Sequence, residues 1–229
     1  MATHYVVIHL DRVVSTQDEA RNRFSGVPSL ITASGQDAGR GRSGAEWMNA
    51  PRALAASLAF VPDWPPARIP LLTLVAGLAA RHALGSNHRL KWPNDVVSPA
   101  GDKVAGLLAE RVDDLLVIGL GVNLYWPNPP AGVTALMAVD PGPDAGPAIA
   151  VDWADGLLAA VAAGPGEWGA AEYRNCSATL GHTVTWENGG PAVAVDVDDA
   201  GGLVVESGGI RRVLHSGRVR SVRPTTLTD

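Results

Sequence analysis

Two arginines stand inside a glycine-rich stretch, Gly39-Arg40-Gly41-Arg42-Ser43-Gly44. Glycine lets the backbone approach a ligand closely, and guanidinium groups offer forked donors to phosphate or carboxylate. The pattern therefore reads as a mobile segment that folds over an anion. It also fits G-x-G-x-x-G, but a dinucleotide site needs the last glycine to open a helix, and only Ala45 to Ala50 separate Gly44 from Pro51. A kinase phosphate loop is excluded because the chain has neither H-R-D nor D-F-G. Standing alone, the stretch reads equally well as a solvated surface loop. Two further segments add weight. Lys91-Trp92-Pro93-Asn94-Asp95 sets a cation, a stacking surface and a carboxylate around a rigid proline; its plainer reading is a strand end with an Asn-Asp turn. Lys103-Val104-Ala105-Gly106-Leu107-Leu108-Ala109-Glu110 puts Lys103 at a strand start, with Gly106 leaving space; its plainer reading is an edge lysine whose stem covers the core. A covalent nucleophile is not in evidence. There is no G-x-S-x-G, and the single cysteine, Cys176, excludes a disulfide framework and a thiolate zinc cluster. The histidines at 4, 9, 82, 88, 182 and 215 show no metal-ligand spacing.

Such groups need a scaffold, and the chain can supply one. With 229 residues, 46% hydrophobic and 18% charged, it suits one medium domain or a larger domain plus a small one, and not a disordered chain. Residues 5–10 read as a strand, and Ser15-Thr16-Gln17-Asp18-Glu19-Ala20 as a helix start with a capping pattern. A strand at 29–32 leads into a loop from 34 to about 49, followed by an apolar strand at 53–61. Residues 69–84 are apolar on nearly every face, which predicts a buried helix ended by Gly85. A meander follows, with strands at 95–98, 103–111 and 115–124, the last without polar alternation until Asn123 and so buried on both faces. The Pro/Gly stretch 141–147 is the best linker by composition, and helical stretches at 149–163 and 167–175 come after it. Short strands at 182–187, 193–197, 203–206, 210–214 and 219–222, separated by glycine-rich turns, have the pattern of a small β-barrel. The order predicts an α+β body over 1–177 and a β cap over 178–229.

Charge and composition also set limits. The net charge of −5 argues against a constitutive nucleic-acid binder, which needs surplus Lys and Arg to neutralise phosphates. Arg211, Arg212, Arg218, Arg220 and Arg223 form a local basic cluster, but acidic residues at 196, 198, 199 and 206 offset it. The N-terminus has no basic segment before its apolar run, so no signal peptide is expected. The longest uncharged run, 115–139, is interrupted by Asn, Gly and Pro, and would leave backbone groups unpaired in lipid. A cytoplasmic protein without membrane attachment is expected.

The segments at 15–20 and 36–42 (Gln36-Asp37-Ala38-Gly39-Arg40-Gly41-Arg42), KWPND at 91–95, KVAGLLAE at 103–110 and GLGVN at 119–123 resemble, in this order, the biotin–protein ligases. The C-terminal run is similar to that family's small SH3-like domain through Cys176, Thr179-Leu180-Gly181, Gly202-Leu203-Val204-Val205, Ser216-Gly217-Arg218-Val219 and Val222-Arg223. The resemblance implies a mixed-sheet, class II synthetase-like catalytic domain with a small C-terminal SH3-like β-barrel. Catalytic motifs begin by Ser15, so the DNA-binding winged helix of bifunctional members is not expected. The implied reaction joins biotin to ATP as biotinyl-5′-AMP, with Mg2+ accompanying the nucleotide and near Asp95, and then biotinylates a lysine of a biotin carboxyl carrier domain. A monomer or homodimer is implied.

By matching position, Ser15, Thr16, Gln17, Gln36, Gly39, Gly41 and Gly106 are implied to bind biotin together with Arg40, Arg42 and Lys103. Arg42, Lys103, Trp47, Lys91, Asn94, Asp95 and Asn123 are implied to hold ATP and the adenylate. Lys103 is the main catalytic candidate, bridging carboxylate and α-phosphate, with Arg40 and Arg42 on a closing loop. The chain departs from the family where a further arginine gives way to Ala45, where a basic or polar residue gives way to Glu46, and where a double glycine is Ala105-Gly106. The competing readings are a lipoate or octanoate ligase of the same fold and a non-catalytic biotin-binding protein.

Overall fold

A computed structural model describes residues 4–187, 189–215 and 219–221. Strand β1 (Val6–Val13) is an edge strand with both faces partly exposed, and it pairs in parallel with β2 (Ser29–Gln36). The helix α1 (Thr16–Arg23) crosses between them. From β2 the sheet continues antiparallel through β3 (Arg52–Phe60), then β7 (Leu115–Tyr125), β6 (Lys103–Val112), β5 (Asp95–Val97) and β4 (Arg89–Lys91), in the order β1-β2-β3-β7-β6-β5-β4. The mixed sheet is as expected. The three-residue strand β4 was not legible in the sequence, and it is the strand that carries Lys91.

One face of the sheet is covered by α2 (Leu72–Leu84), entered through a 3-10 turn at 66–71 and ended at Gly85 with φ 109. Positive φ suits glycine, so the helix stops where the sequence says. Against α2 lies α3 (Ala145–Ala163), whose buried Trp153 donates its indole N–H to the Ala76 carbonyl at 3.2 Å. The expected linker at 141–147 is thus partly helix. Pro147 is accommodated because the N–H groups of a first helical turn have no intrahelical partner. Helical stretches 66–84 and 145–163 are long and apolar enough to cross a membrane, but their apolar residues pack into the core formed with Leu54, Ile118 and Leu120. A short helix α4 (Ala170–Cys176) closes this layer.

The opposite face is nearly bare, and this positions the site. Of the described α-helices only α1 packs there, through Ala20 against Ile31, Ala59 and Val117. Ser15 occupies the N-cap position but makes no side-chain cap. The expected capping box is absent because the carboxylate three residues on, Asp18, is engaged by Arg40.

From Thr183 the chain forms a second, antiparallel sheet: β8 (Thr183–Trp186), β9 (Gly189–Val197), β10 (Leu203–Ser207), β11 (Ile210–Leu214) and β12 (Arg220–Ser221), in the order β11-β10-β9-β8-β12. It is the small β domain the sequence predicted, with β9 beginning four residues earlier than expected. Residues 216–218 and 222–229, which include the Ser216-Gly217-Arg218 and Val222-Arg223 matches, lie outside the described residues. The buried residues of this sheet, among them Val184, Ala194 and Leu203, belong to the same apolar cluster as α2.

Candidate active site

The bare face owes its hollow to small residues. In β3, β7 and β6, Ser57 pairs with Gly119, and Gly119 with Leu108; Ala55 pairs with Gly121, and Gly121 with Gly106. Alternation along a strand puts all of these on one side. A cleft of about 370 Å³ opens over them, walled by the N-terminus of α1, the loop after β2, the β4–β5 turn and the chain at Val219-Arg220. The Ala105 departure falls on the other face, where Ala105 is buried against the helices, so only Gly106 has to be small for the cleft.

One end of the cleft is neutral and hydrogen-bonding. The Gln36 side-chain oxygen accepts from the Thr16 N–H at 2.8 Å and from its hydroxyl at 3.0 Å, and Ser57 donates to Thr16 Oγ1 at 2.9 Å. This fixes the Gln36 amide; among the described residues neither its NH2 nor the Ser15 hydroxyl makes a hydrogen bond, and both residues line the cleft. Gln17 donates to the Leu108 carbonyl at 3.0 Å, and its own carbonyl oxygen is buried without a partner.

The other end is cationic. Lys103 Nζ lies 2.6 Å from Asp95 and sits over the Trp47 ring at 5.2 Å. Arg42 lies 3.5 Å from Asn94 Oδ1, and burial pulls its guanidinium below the usual arginine range, an effect that Asp95 partly offsets. Asn94 itself is pinned to β6, donating to the Leu107 carbonyl at 2.7 Å. Lys91 lines the same end and makes no ion pair among the described residues. Trp47 explains two glycines: a Cβ on Gly121 would come within 2.7 Å of its indole, and one on Gly106 within 2.9 Å of both the indole and Lys103 Nζ.

Most of the residues singled out in the sequence meet in this cleft, with four differences. Asn123 and Gly39 are not in its wall. The Asn123 amide donates to the Thr134 carbonyl at 3.1 Å, tying down the loop at 133–136, and its oxygen is buried without a partner. Gly39 packs behind Trp47 and Gln36. Arg40 reaches the cleft wall, but its guanidinium is taken up by Asp18 (2.8 and 2.9 Å) and Glu110 (3.2 Å) and not by an open anion position. The expected stacking surface, Trp92, is buried; its indole donates to the Gly201 carbonyl of the second sheet at 2.9 Å. Sequence reasoning missed Ser57, Asp18, Glu110 and Arg220. Ser57 is the lone polar residue in the apolar run 53–60, and Glu110 follows Gly106 and Leu108 at period two, so both carried a readable signal.

A cleft with neutral hydrogen-bonding groups at one end and cations at the other suits an enzyme that activates an acid with a nucleotide. Residues 10–123 match the model of the Biotin/lipoate A/B protein ligase family. The chain is 33% identical over 214 residues to a biotin–[acetyl-CoA-carboxylase] ligase of Mycobacterium tuberculosis, covering 85% of this chain and 79% of the relative. It is 30% identical over 244 residues to the enzyme of that name from Paracoccus denitrificans, covering 92% and 98%. Its fold superposes on a biotin protein ligase from Aquifex aeolicus in complex with biotin and ATP with a TM-score of 0.78, at 24% identity, over 95% of this chain and 99% of the other. The chain belongs to the biotin protein ligase family and is a biotin ligase.

Proposed function

We propose that the cleft forms biotinyl-5′-AMP and passes the biotinyl group to one lysine of a biotin carboxyl carrier domain, such as that of acetyl-CoA carboxylase, in the cytoplasm. The observation that carries this reading is the polarity of a single cleft: the neutral donors Ser15 and Gln36 on one side, and Arg42, Lys91 and Lys103 on the other. A urea head group is neutral and suits the first end; a carboxylate meeting a triphosphate needs the second. In the first step a biotin carboxylate oxygen bonds to the α-phosphorus and pyrophosphate leaves. Lys103 and Arg42 draw two anions together and stabilise charge as it develops, which is alignment and electrostatics without a covalent enzyme intermediate. In the second step the neutral amine of the carrier lysine attacks the acyl carbon, AMP leaves with the carboxyl oxygen, and the amine gives up a proton.

Mg2+ arrives with the triphosphate. Among the described residues no group of three His, Cys, Asp or Glu could hold a metal, so phosphate oxygens and water must supply most of its ligands, with Asp95 the carboxylate on that side. Residues 1–177 carry the chemistry in this reading, and 178–229 close the nucleotide end through Val219 and Arg220. An acyl transfer through Cys176 is disfavoured: the thiol is buried beyond the site, its Sγ is 3.6 Å from the Tyr173 carbonyl, and burial pushes its pKa up.

Incubation with ATP, Mg2+ and a carrier domain, with biotin, lipoate or octanoate in separate reactions, tests the proposal by intact mass. One biotinyl group on the carrier is expected. Modification only by lipoate or octanoate, or none, overturns it.

A further inference from the structure

Arg40 and Arg42 sit two residues apart in the same loop and serve different ends. Arg42 points to Asn94 and lies in the field of Asp95 on the nucleotide side. Arg40 grips the scaffold on the other side. Its two terminal nitrogens take both oxygens of Asp18, at 2.8 and 2.9 Å, and one also reaches Glu110 at 3.2 Å. Glu110 is in turn held by Arg21 at 2.9 Å, and Arg21 returns to Asp18 at 3.5 Å. Two arginines and two carboxylates thus close a ring of alternating charge. Three of its members stand on regular elements, α1 and β6, and the fourth on the loop. The Arg40 contact holds Asp18 below the usual carboxylate range, and the bond to Asp18 raises Arg40 in return.

The loop is otherwise folded on itself. The Gly41 N–H donates to the Ala45 carbonyl at 2.6 Å, and the Trp47 N–H to the Gly39 carbonyl at 2.9 Å. That hairpin carries Trp47 onto Gly106 and Gly121. Whatever fixes its base fixes the indole and Arg42 over the cleft.

We infer that Asp18 and Glu110 are positioning residues that latch the loop through Arg40, so that Arg40 acts as the hinge-side anchor and Arg42 alone presents its charge to the reactants. A forked guanidinium–carboxylate pair is directional, and a shared second carboxylate spares part of the entropy cost of holding it. The four side chains are 29–38% exposed, so the latch is also screened by salt and reversible, as a loop that must open for ligand requires.

Hydrogen exchange of the ligand-free protein tests the latch, with the amides of Gly41 and Trp47 as reporters. Asp18→Asn and Glu110→Gln should each speed their exchange about fivefold, the ratio produced by losing about 1 kcal/mol, with the sheet amides unchanged. Adding Arg40→Ala to the double variant Asp18→Asn/Glu110→Gln should give little further increase, because both carboxylates that Arg40 holds are already neutralised. Raising salt from about 0.05 to about 1 M should loosen the wild-type loop and leave the double variant Asp18→Asn/Glu110→Gln unmoved, a response that a purely structural defect would not show. Unchanged exchange in both variants, full additivity, or wild-type exchange indifferent to salt would each overturn the latch; the salt series needs no variant to fold. A second arm rests on the proposed function: biotinyl-AMP should leave Asp18→Asn about fivefold faster, again the effect of about 1 kcal/mol. If the exchange arm holds and no adenylate forms on the wild type, the proposed reaction fails while the latch stands.

Discussion

Lys103→Ala separates chemistry from stability. In the fold, Lys103 makes an ion pair with Asp95 at 2.6 Å, its side chain 33% exposed and that of Asp95 23%, and a cation–π contact with Trp47 at 5.2 Å. A pair open to solvent to this degree is worth at most about 1 kcal/mol, and the ring contact about 0.5–1 kcal/mol. The truncation should therefore lower the thermal midpoint by only about 2–8 °C for a chain of this size. The reaction depends on it far more. In the proposed reaction Lys103 neutralises a carboxylate against the α-phosphate, and losing one such transition-state contact costs about 10²–10³ in rate. Biotin-dependent pyrophosphate release, measured beside a melting curve, reads both numbers. Pyrophosphate release within about threefold of wild type by a folded variant would refute the assignment. A collapse of the melting transition by well over about 10 °C would show that the residue is structural, since its contacts cannot account for that much.

Four further outcomes are expected. Arg42→Gly should leak biotinyl-AMP and label bystander lysines, because it removes the loop's charge on the nucleotide side; labelling confined to the carrier, measured by peptide mapping, contradicts this. Gly121→Ala should displace Trp47, whose indole lies 2.7 Å from the added Cβ, cost about 1–3 kcal/mol in overpacking, and slow adenylate formation with it; an unshifted melting midpoint and rate would count against the glycine floor. Cys176 should resist a disulfide reagent at pH 8 until denaturant is added, because burial raises the thiol pKa and keeps it protonated; fast reaction of the native protein would mean the thiol is accessible. Trp92→Phe keeps the apolar contact but deletes the bond to the Gly201 carbonyl and should cost about 1–3 kcal/mol, read by denaturant titration, because that acceptor loses its partner.

The sequence made the catalytic elements readable because each has a local physical signature. The uniform apolarity of residues 72–84 marked a core helix, the alternation-free run at 115–124 a strand buried on both faces, and the glycine turns after residue 180 a β domain. Cations flanked by glycine or proline marked the cleft. What could not be read is set by distance in the chain. Asp18 reads as a capping residue because its local partner, Ser15, is three positions away; its actual partner is 22 residues off, and Glu110 is 70 residues from Arg40. Trp92 reads as a stacking surface because nothing local reveals that Gly201, 109 residues later, covers it. Strand β4 is too short to show a period and exists because β5 pairs with it.

That burial of Trp92 gives the KWPND segment two tasks at once. On one side, Lys91, Asn94 and Asp95 face the cationic end of the cleft. On the other, the Trp92 backbone N–H donates to Thr179 Oγ1 at 2.9 Å, its indole donates to the Gly201 carbonyl, and the preceding Leu90 accepts from Ala178 at 2.7 Å, so this stretch also joins the first sheet to the C-terminal β domain. Arg174 adds a second tie, to Asp196 at 2.6 Å. The joint explains how Val219 and Arg220, more than a hundred residues along the chain from Lys103, come to line the cleft with it. A β domain hung on a flexible linker could not hold a side chain there. One anchored by a buried tryptophan and a shared apolar cluster can, and the cationic end of the cleft is then a property of both sheets rather than of the larger one alone.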